Sequence, residues 1–240
     1  MTGQALGKHT GYPAIACWLA DLSYDLLQGL AGLASLGWER SVRWHAPLPK
    51  GPVILAANHP TSLDPFMVMR LVEQRLVFLT SYKLFQLPLV GKLLKAGGMV
   101  SAGLGSPRRA LQGALTALQH GYMLCVFPEG QISPQPGQVS PLRSGAARIA
   151  LGARAAIVPV GIYASAEHLH LVPVKVGGRT DHIRWYRRGP YAVTVGEPIQ
   201  AVGSSQDKRA VRALSEEIAT RIAELCAEGR ARVERSLLQA

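Results

Sequence analysis

The chain has 240 residues, with 26 Lys and Arg against 15 Asp and Glu, and a formal net charge of +11. That length supports one substantial α/β domain, and the basic excess attracts polyanions, of which anionic lipid headgroups and nucleic acid are the two kinds to weigh. Cys17, Cys125 and Cys226 lie far apart with no Cys-x-x-Cys, which excludes a disulfide framework and reads as a reducing compartment.

From the N-terminus, Tyr12 to Trp38 is apolar and rich in Ala and Leu, with Trp18, Tyr24 and Trp38 near polar boundaries. Asp21 and Asp25 interrupt it. An ionised Asp near a bilayer centre costs roughly 2.5–3.5 kcal/mol, so the segment reads as helix lying in a membrane interface, its aromatic rings at headgroup depth. Packing on the domain is the competing reading. Lys8 and His9 make a thin basic start and the apolar run breaks at Asp21, against a cleaved signal peptide.

Pro52 to Ala57 is an apolar run with the character of a buried parallel strand, and it passes directly into Asn58-His-Pro-Thr-Ser-Leu-Asp64. Pro60 suits the first turn of a helix that the largely apolar stretch Phe66 to Val72 would continue. A histidine thus stands where a strand ends, the place where open α/β sheets bind ligands. Asp64, five residues on, can turn back to His59, fix its tautomer and leave the other ring nitrogen free to take a proton. The competing reading is a capping Asp beside a partly buried His.

The same punctuation recurs along the chain. Residues 76–80 run into Ser81-Tyr82-Lys83, residues 122–127 into Pro128-Glu129-Gly130, and residues 155–162 into Tyr163. Helical spacing occupies 84–96, 107–119 and 143–152 between them. Alternating strand and helix predicts an α/β fold with a mostly parallel sheet flanked by helices. His59, Asp64, Lys83 and Glu129 would then converge on one edge. Glu129 could instead cap the following segment, and Lys83 and Arg143 could be solvated surface residues.

Beyond the core blocks, His168 and His170 near Glu167 could hold a metal, but no third ligand is evident. Arg179, Arg184, Arg187 and Arg188 surround Trp185 and Tyr186, and basic residues stud an amphipathic C-terminal helix over 208–235. Anionic lipid is the better partner for these, because the 184–188 tract lacks the pattern of an RNA-recognition module; no nucleic acid is expected. No Gly-x-Ser-x-Gly elbow, Gly-x-Gly-x-x-Gly or Walker-type loop is present.

Several ordered blocks resemble the glycerolipid acyltransferase family that includes the glycerol-3-phosphate and 1-acylglycerol-3-phosphate acyltransferases. Asn58-His59-Pro-Thr-Ser-Leu-Asp64 is similar to its His-x4-Asp block, and Lys83 to Gly91 with Gly97-Gly98 resembles the second block. Phe127-Pro128-Glu129-Gly130 matches the third, followed by Leu142-Arg143-Ser144-Gly145. Residues 157–162 resemble the fourth, and residues 193–199 the closing strand. The resemblance covers roughly residues 50–225.

The resemblance implies a membrane-interface segment over 1–40, an acyltransferase α/β domain over 41–205, and a C-terminal helical segment over 206–240 packing on it. It also implies acyl transfer from acyl-CoA or acyl carrier protein to a lysolipid, most directly 1-acylglycerol-3-phosphate, with no cofactor and no metal. His59 would be the general base oriented by Asp64, with helix-start amides near it stabilising the oxyanion. Glu129 and Gly130 would hold the acceptor's polar head, and Lys83 and Arg143 would contact anionic groups. The resemblance further implies attachment to the cytoplasmic face of a membrane. A lyso-acceptor with another headgroup, or a non-catalytic lipid-binding relative, are the alternatives. The departure from the family lies at Gly103 and Gln131-Ile132, where phosphate-holding arginines are usual. Arg108, Arg109 and Arg143 could rebuild such a site.

Overall fold

The structure is a computed structural model and describes residues 14–34, 36, 38–103, 107–133, 135, 137–176 and 179–239. Lys8, His9 and Tyr12, and the side chains of Cys17, Trp18, Asp21 and Arg179, lie outside what is described. In chain order the elements are α1 (Ala14–Ala34), β1 (Trp38–Trp44), β2 (Val53–Ala57), α2 (Asp64–Met69), β3 (Leu76–Ser81), α3 (Tyr82–Phe85) and α4 (Pro88–Ala96). There follow β4 (Val100–Ala102), α5 (Pro107–Gln119), β5 (Met123–Val126), α6 (Gly145–Ala153), β6 (Ala156–Ala164), β7 (Leu169–Val176), β8 (Arg179–Tyr186), β9 (Gly189–Val195) and α7 (Lys208–Leu238). The helical pattern over 84–96 is realised as two pieces, because Pro88 opens α4 and cannot continue the turn before it.

Seven strands form one sheet in the order β1-β9-β6-β2-β5-β3-β4. Strands β6, β2, β5, β3 and β4 are mutually parallel, while β9 runs antiparallel to β6 and parallel to β1. Strands β7 and β8 pair separately as a hairpin. The sheet is thus mostly parallel, as the alternation of elements predicts, and the carboxyl ends of β2, β5 and β3 share one edge.

Period-two alternation divides the strands between two cores. Val53, Leu55 and Ala57 of β2, with Leu76, Phe78, Met123 and Cys125, face Tyr24 and Leu27 of α1 and Leu63 to Met69 of α2. Ile54, Ala56, Val77, Leu124 and Ile157 face α5, α6 and α7. Helix α7 buries Val211, Leu214, Ile218, Ile222, Leu225 and Val233 at helical spacing. It crosses β6 at Gly161, where any Cβ would stand 2.3 Å from the Cys226 backbone nitrogen. Its outer face is laced with ion pairs such as Arg212–Glu216 and Arg230–Glu234, so much of its positive charge is locally matched.

Tyr24 and Trp38 correct the expectation of membrane-anchoring rings, because both are buried. The Tyr24 hydroxyl accepts from the Leu76 N–H at 3.0 Å, and Trp38 packs on Tyr186 and Tyr191. Helix α1 packs on the domain through Tyr24, Leu27 and Ala31, while Leu22, Leu26, Leu30 and Leu33 stay exposed. No helix among the described residues is long and apolar enough to cross a membrane.

Candidate active site

The site grows out of the carboxyl end of β2. Asn58 extends that strand's pairing with its side chain: its amide nitrogen donates to the Ile162 carbonyl at 2.8 Å and its amide oxygen accepts from the Ile162 N–H at 2.7 Å. The next residue is His59. Its Nδ1 lies 2.8 Å from Asp64 Oδ2. An ionised carboxylate only accepts, so Nδ1 carries the proton and Nε2 keeps a free lone pair. The imidazole stacks on Phe127 with centroids 4.2 Å apart and remains 18% exposed, which leaves it reachable from outside.

Asp64 is fully buried, a costly state for a charge without partners. Its partners are dense. Oδ2 also accepts from the Thr61 N–H at 2.8 Å, and Oδ1 accepts from Thr61 Oγ1 at 2.6 Å and from the Tyr191 hydroxyl at 2.8 Å. The proline in the first turn of α2 is Pro65 and not Pro60, because residues 60–63 are taken up by the turn that brings Asp64 back to His59.

The turn uses up its own amides. Ser62 N–H donates to the Arg184 carbonyl, Leu63 N–H to Thr61 Oγ1, and Asp64 N–H to the Thr61 carbonyl. Helix-start amides are therefore engaged internally, in contrast to the expectation that they face an oxyanion.

Glu129 follows β5 and is 2% exposed. Its Oε1 accepts from the His59 N–H at 3.0 Å and from Ser133 Oγ at 2.7 Å, and its Oε2 accepts from the Ser140 N–H at 2.8 Å. Both oxygens are thus turned into the protein, where they hold the backbone of His59 and the Ser133 hydroxyl and Ser140 amide. Gly130 adopts φ +68°, and a Cβ there would stand 2.6 Å from Arg143 Nε, so the glycine lets the exposed Arg143 side chain lie over the turn. The Arg143 N–H donates to the Pro128 carbonyl at 2.8 Å.

Lys83 is exposed on α3, just past β3. Arg108 and Arg109 are exposed at the start of α5, past β4. Neighbouring strands stand about 4.8 Å apart, so that position is roughly 14 Å along the edge from β2. The structure therefore groups His59, Asp64, Glu129, Gly130 and Arg143, with Lys83 two strands from His59 and the Arg108–Arg109 pair beyond it. At Gly103 the backbone has φ +120° and a Cβ would meet the Tyr82 ring at 2.7 Å, which accounts for the missing arginine there. A shallow cleft lined by Pro52, Leu115, Gln119 and Gly152 lies at the opposite end of β2 and has no part in this group.

Arg184 and Tyr186 turn out to be structural members of the basic, aromatic tract. The Arg184 guanidinium donates to the Ser133 carbonyl at 2.6 Å and the Pro60 carbonyl at 3.2 Å, clamping the His59 turn to Ser133. Tyr186 is fully buried and donates to the Pro190 carbonyl. His168 packs edge-on against Tyr186. Sequence reasoning passed over Thr61, Ser133, Ser140, Arg184 and Tyr191. Thr61 lies inside the His-x4-Asp block and could have been found as a donor to Asp64, and Ser133, four residues after Glu129, is local too; Ser140 lies eleven residues on, and Arg184 and Tyr191 come from distant strands with no local signal.

Comparison with known proteins bears on the family and on the fold. The Acyltransferase family profile matches residues 40–163. A Mycoplasma pneumoniae protein named "probable 1-acyl-sn-glycerol-3-phosphate acyltransferase" is 30% identical over 131 residues, covering 51% of this chain and 48% of that protein. The 1-acyl-sn-glycerol-3-phosphate acyltransferase of Cocos nucifera is 28% identical over 111 residues, covering 45% of this chain and 36% of that one. The chain thus spans about half, or less, of the length of the curated relatives it matches. The crystal structure of the 1-acyl-sn-glycerophosphate (LPA) acyltransferase PlsC from Thermotoga maritima shares the fold, with TM-score 0.60, 23% identity, and coverage of 85% of this chain and 80% of that one. A profile match over just more than half its length, on a fold of the same kind, makes the chain a member of the Acyltransferase family.

Proposed function

We propose that the chain transfers a fatty acyl group from an acyl thioester to the hydroxyl of a lysolipid. One observation carries the reading: His59 stands at the end of β2 with Nδ1 bonded to Asp64 at 2.8 Å and its imidazole 18% exposed, which leaves Nε2 as the nitrogen for an acceptor. In the reaction Nε2 takes the proton of the acceptor hydroxyl as its oxygen attacks the thioester carbonyl. The tetrahedral intermediate collapses, the C–S bond breaks, and the imidazolium returns its proton to the leaving thiolate. Asp64 holds the tautomer and balances the imidazolium charge throughout. No acyl-enzyme forms. The donor is acyl-CoA or acyl carrier protein, and no cofactor is used.

1-Acylglycerol-3-phosphate is the acceptor we favour, on the names of the relatives and on the cation beside the site. Only a short glycerol backbone separates the reacting hydroxyl from the phosphate. Arg143, lying over Gly130, suits that reach, and Lys83 is next along the edge; Arg108 and Arg109 are too far along it to serve the same headgroup. The Gly103 and Gln131-Ile132 departures favour a second reading, a lyso-acceptor with a different headgroup, because two usual arginines are absent.

The protein works at a membrane in this reading, on its cytoplasmic face, where acyl thioesters are made. The exposed leucines of α1 and the basic residues around the hairpin support interfacial attachment to anionic lipid. Purified protein offered acyl-CoA and lysophosphatidic acid should release free thiol. A folded His59→Ala protein should lose roughly 10²–10⁴-fold in rate, and retention within threefold of the parent would refute the mechanism. Turnover with a competing lysolipid but not with lysophosphatidic acid would select the second reading.

A further inference from the structure

We propose that Tyr191 is a positioning residue of this site, its buried hydroxyl setting the orientation and basicity of Asp64 and, through it, of His59. The inference rests on His59 being the base but adds a residue outside the matched stretch 40–163.

Three of the four donors to the Asp64 carboxylate come from the turn itself, namely His59 Nδ1, Thr61 N and Thr61 Oγ1. Among the described residues, Tyr191 is the donor that reaches this carboxylate from another element. It sits on β9, which is hydrogen-bonded on both sides, to β1 and to β6. Its ring is fully buried and wedged between Trp38 at 4.7 Å and Tyr186 at 5.7 Å, so the phenol cannot swing away. A post fixed in the sheet therefore holds one oxygen of a carboxylate that otherwise moves with its own turn. The match is reciprocal, since a buried phenol needs an acceptor and a buried carboxylate needs donors. Burial and the neighbouring Asp64 charge push the Tyr191 phenol well above its ordinary range, so it remains a donor at any pH where the protein works.

A donor to Oδ1 withdraws charge from the carboxylate and weakens its pull on the imidazolium. Removing it leaves Asp64 more basic, stabilises protonated His59, and moves the titration of His59 to higher pH. Among the described residues, the other titratable or charged groups around the pair are Glu129 after β5, Arg143 over the Gly130 turn, Arg184 and Tyr186 on β8, and Cys125 on β5, whose thiol feels Asp64. Tyr191→Phe leaves them all in place.

The test reads the His59 imidazole titration by NMR in the whole protein, alongside kcat/KM against pH. Tyr191→Phe should raise the His59 midpoint by roughly half a unit and shift the rising limb of kcat/KM with it, while KM stays within about twofold. Replacing Tyr191 with 3-fluorotyrosine, a stronger donor of nearly the same size, should shift both downward and needs no cavity to be tolerated. Tyr186→Phe, which removes the neighbouring hydroxyl bonded to Pro190, should shift neither. Midpoints unmoved within about 0.1 unit in both Tyr191 proteins would overturn the proposal and leave Tyr191 a core residue. Opposite shifts in a parent that turns over no acyl thioester would uphold the positioning and refute the acyl-transfer reading instead.

Discussion

Glu129→Gln separates two roles for a residue that the family resemblance assigns to substrate. The Glu129 carboxylate accepts three hydrogen bonds, from His59 N–H, Ser133 Oγ and Ser140 N–H, in a site that is 2% exposed. The glutamine keeps one oxygen and turns an NH₂ toward donors on the other side, so at least one bond is lost and a buried N–H faces another. A hydrogen bond to a charged group is worth about 1.5–3 kcal/mol and a buried donor left unpaired costs about 1–3 kcal/mol. Destabilisation of about 2–4 kcal/mol follows, or a fall in Tm of roughly 5–15 °C for a chain of this size. The side chain that holds the His59 N–H is thereby shifted, and a displacement near 1 Å at a reacting group costs about 100-fold, so kcat should fall while the acceptor KM changes little. Thermal melts and steady-state kinetics on the same preparation check both. A Glu129→Gln protein with the parent's Tm and kcat but a raised acceptor KM would refute the reasoning, because the carboxylate would then be binding substrate.

Gly161→Ala should destabilise by at least about 1–3 kcal/mol in urea melts, since its Cβ meets the Leu225–Cys226 backbone of α7 rather than a side chain that can turn away; an unchanged midpoint would mean that α7 rides higher on β6. Burial pushes the Cys226 thiol up to about 11 from its ordinary value near 9. Native Cys226 should therefore stay unalkylated at pH 8 by peptide mapping, reacting only after denaturation, and the stability held by this protonated thiol should be full below pH 9 and lost as the pH rises toward 11. Leu26→Asp with Leu30→Asp should cut co-sedimentation with anionic vesicles by at least about tenfold, because two leucines of the exposed face of α1 would each forfeit about 1.5–3 kcal/mol on insertion. Equal pelleting would move the anchor elsewhere.

The local chemistry was legible in the sequence because it is local. His59 and Asp64 lie within one turn, and the apolar runs at 52–57, 76–80, 122–127 and 155–162 mark strands whose ends carry the polar residues. Gly130 declares a close backbone approach on its own, whereas the helix start reads at Pro60 and lies at Pro65, since either proline satisfies the local rule. Periodicity gave the α/β class; the spacing of His59 and Asp64 allowed the dyad, and the resemblance of the 58–64 block chose it over a capping Asp.

What tertiary structure decided is every partnership across the sheet. Tyr191 reaches Asp64 from 127 residues away, and Arg184 reaches the Ser133 and Pro60 carbonyls from 51 and 124 residues away. The same holds for Glu129, whose sequence motif suggests a substrate contact while its burial turns both oxygens inward. Aromatic residues at a polar boundary were equally ambiguous: Trp38 and Tyr24 read as interface anchors and fold into the core, because strand β1 and helix α1 bring them onto Tyr191 and the Leu76 amide. A side chain's type fixes what it can bond. Which donor or apolar surface meets it is fixed only when β9, the β7–β8 hairpin and α1 close over the edge where β2 ends.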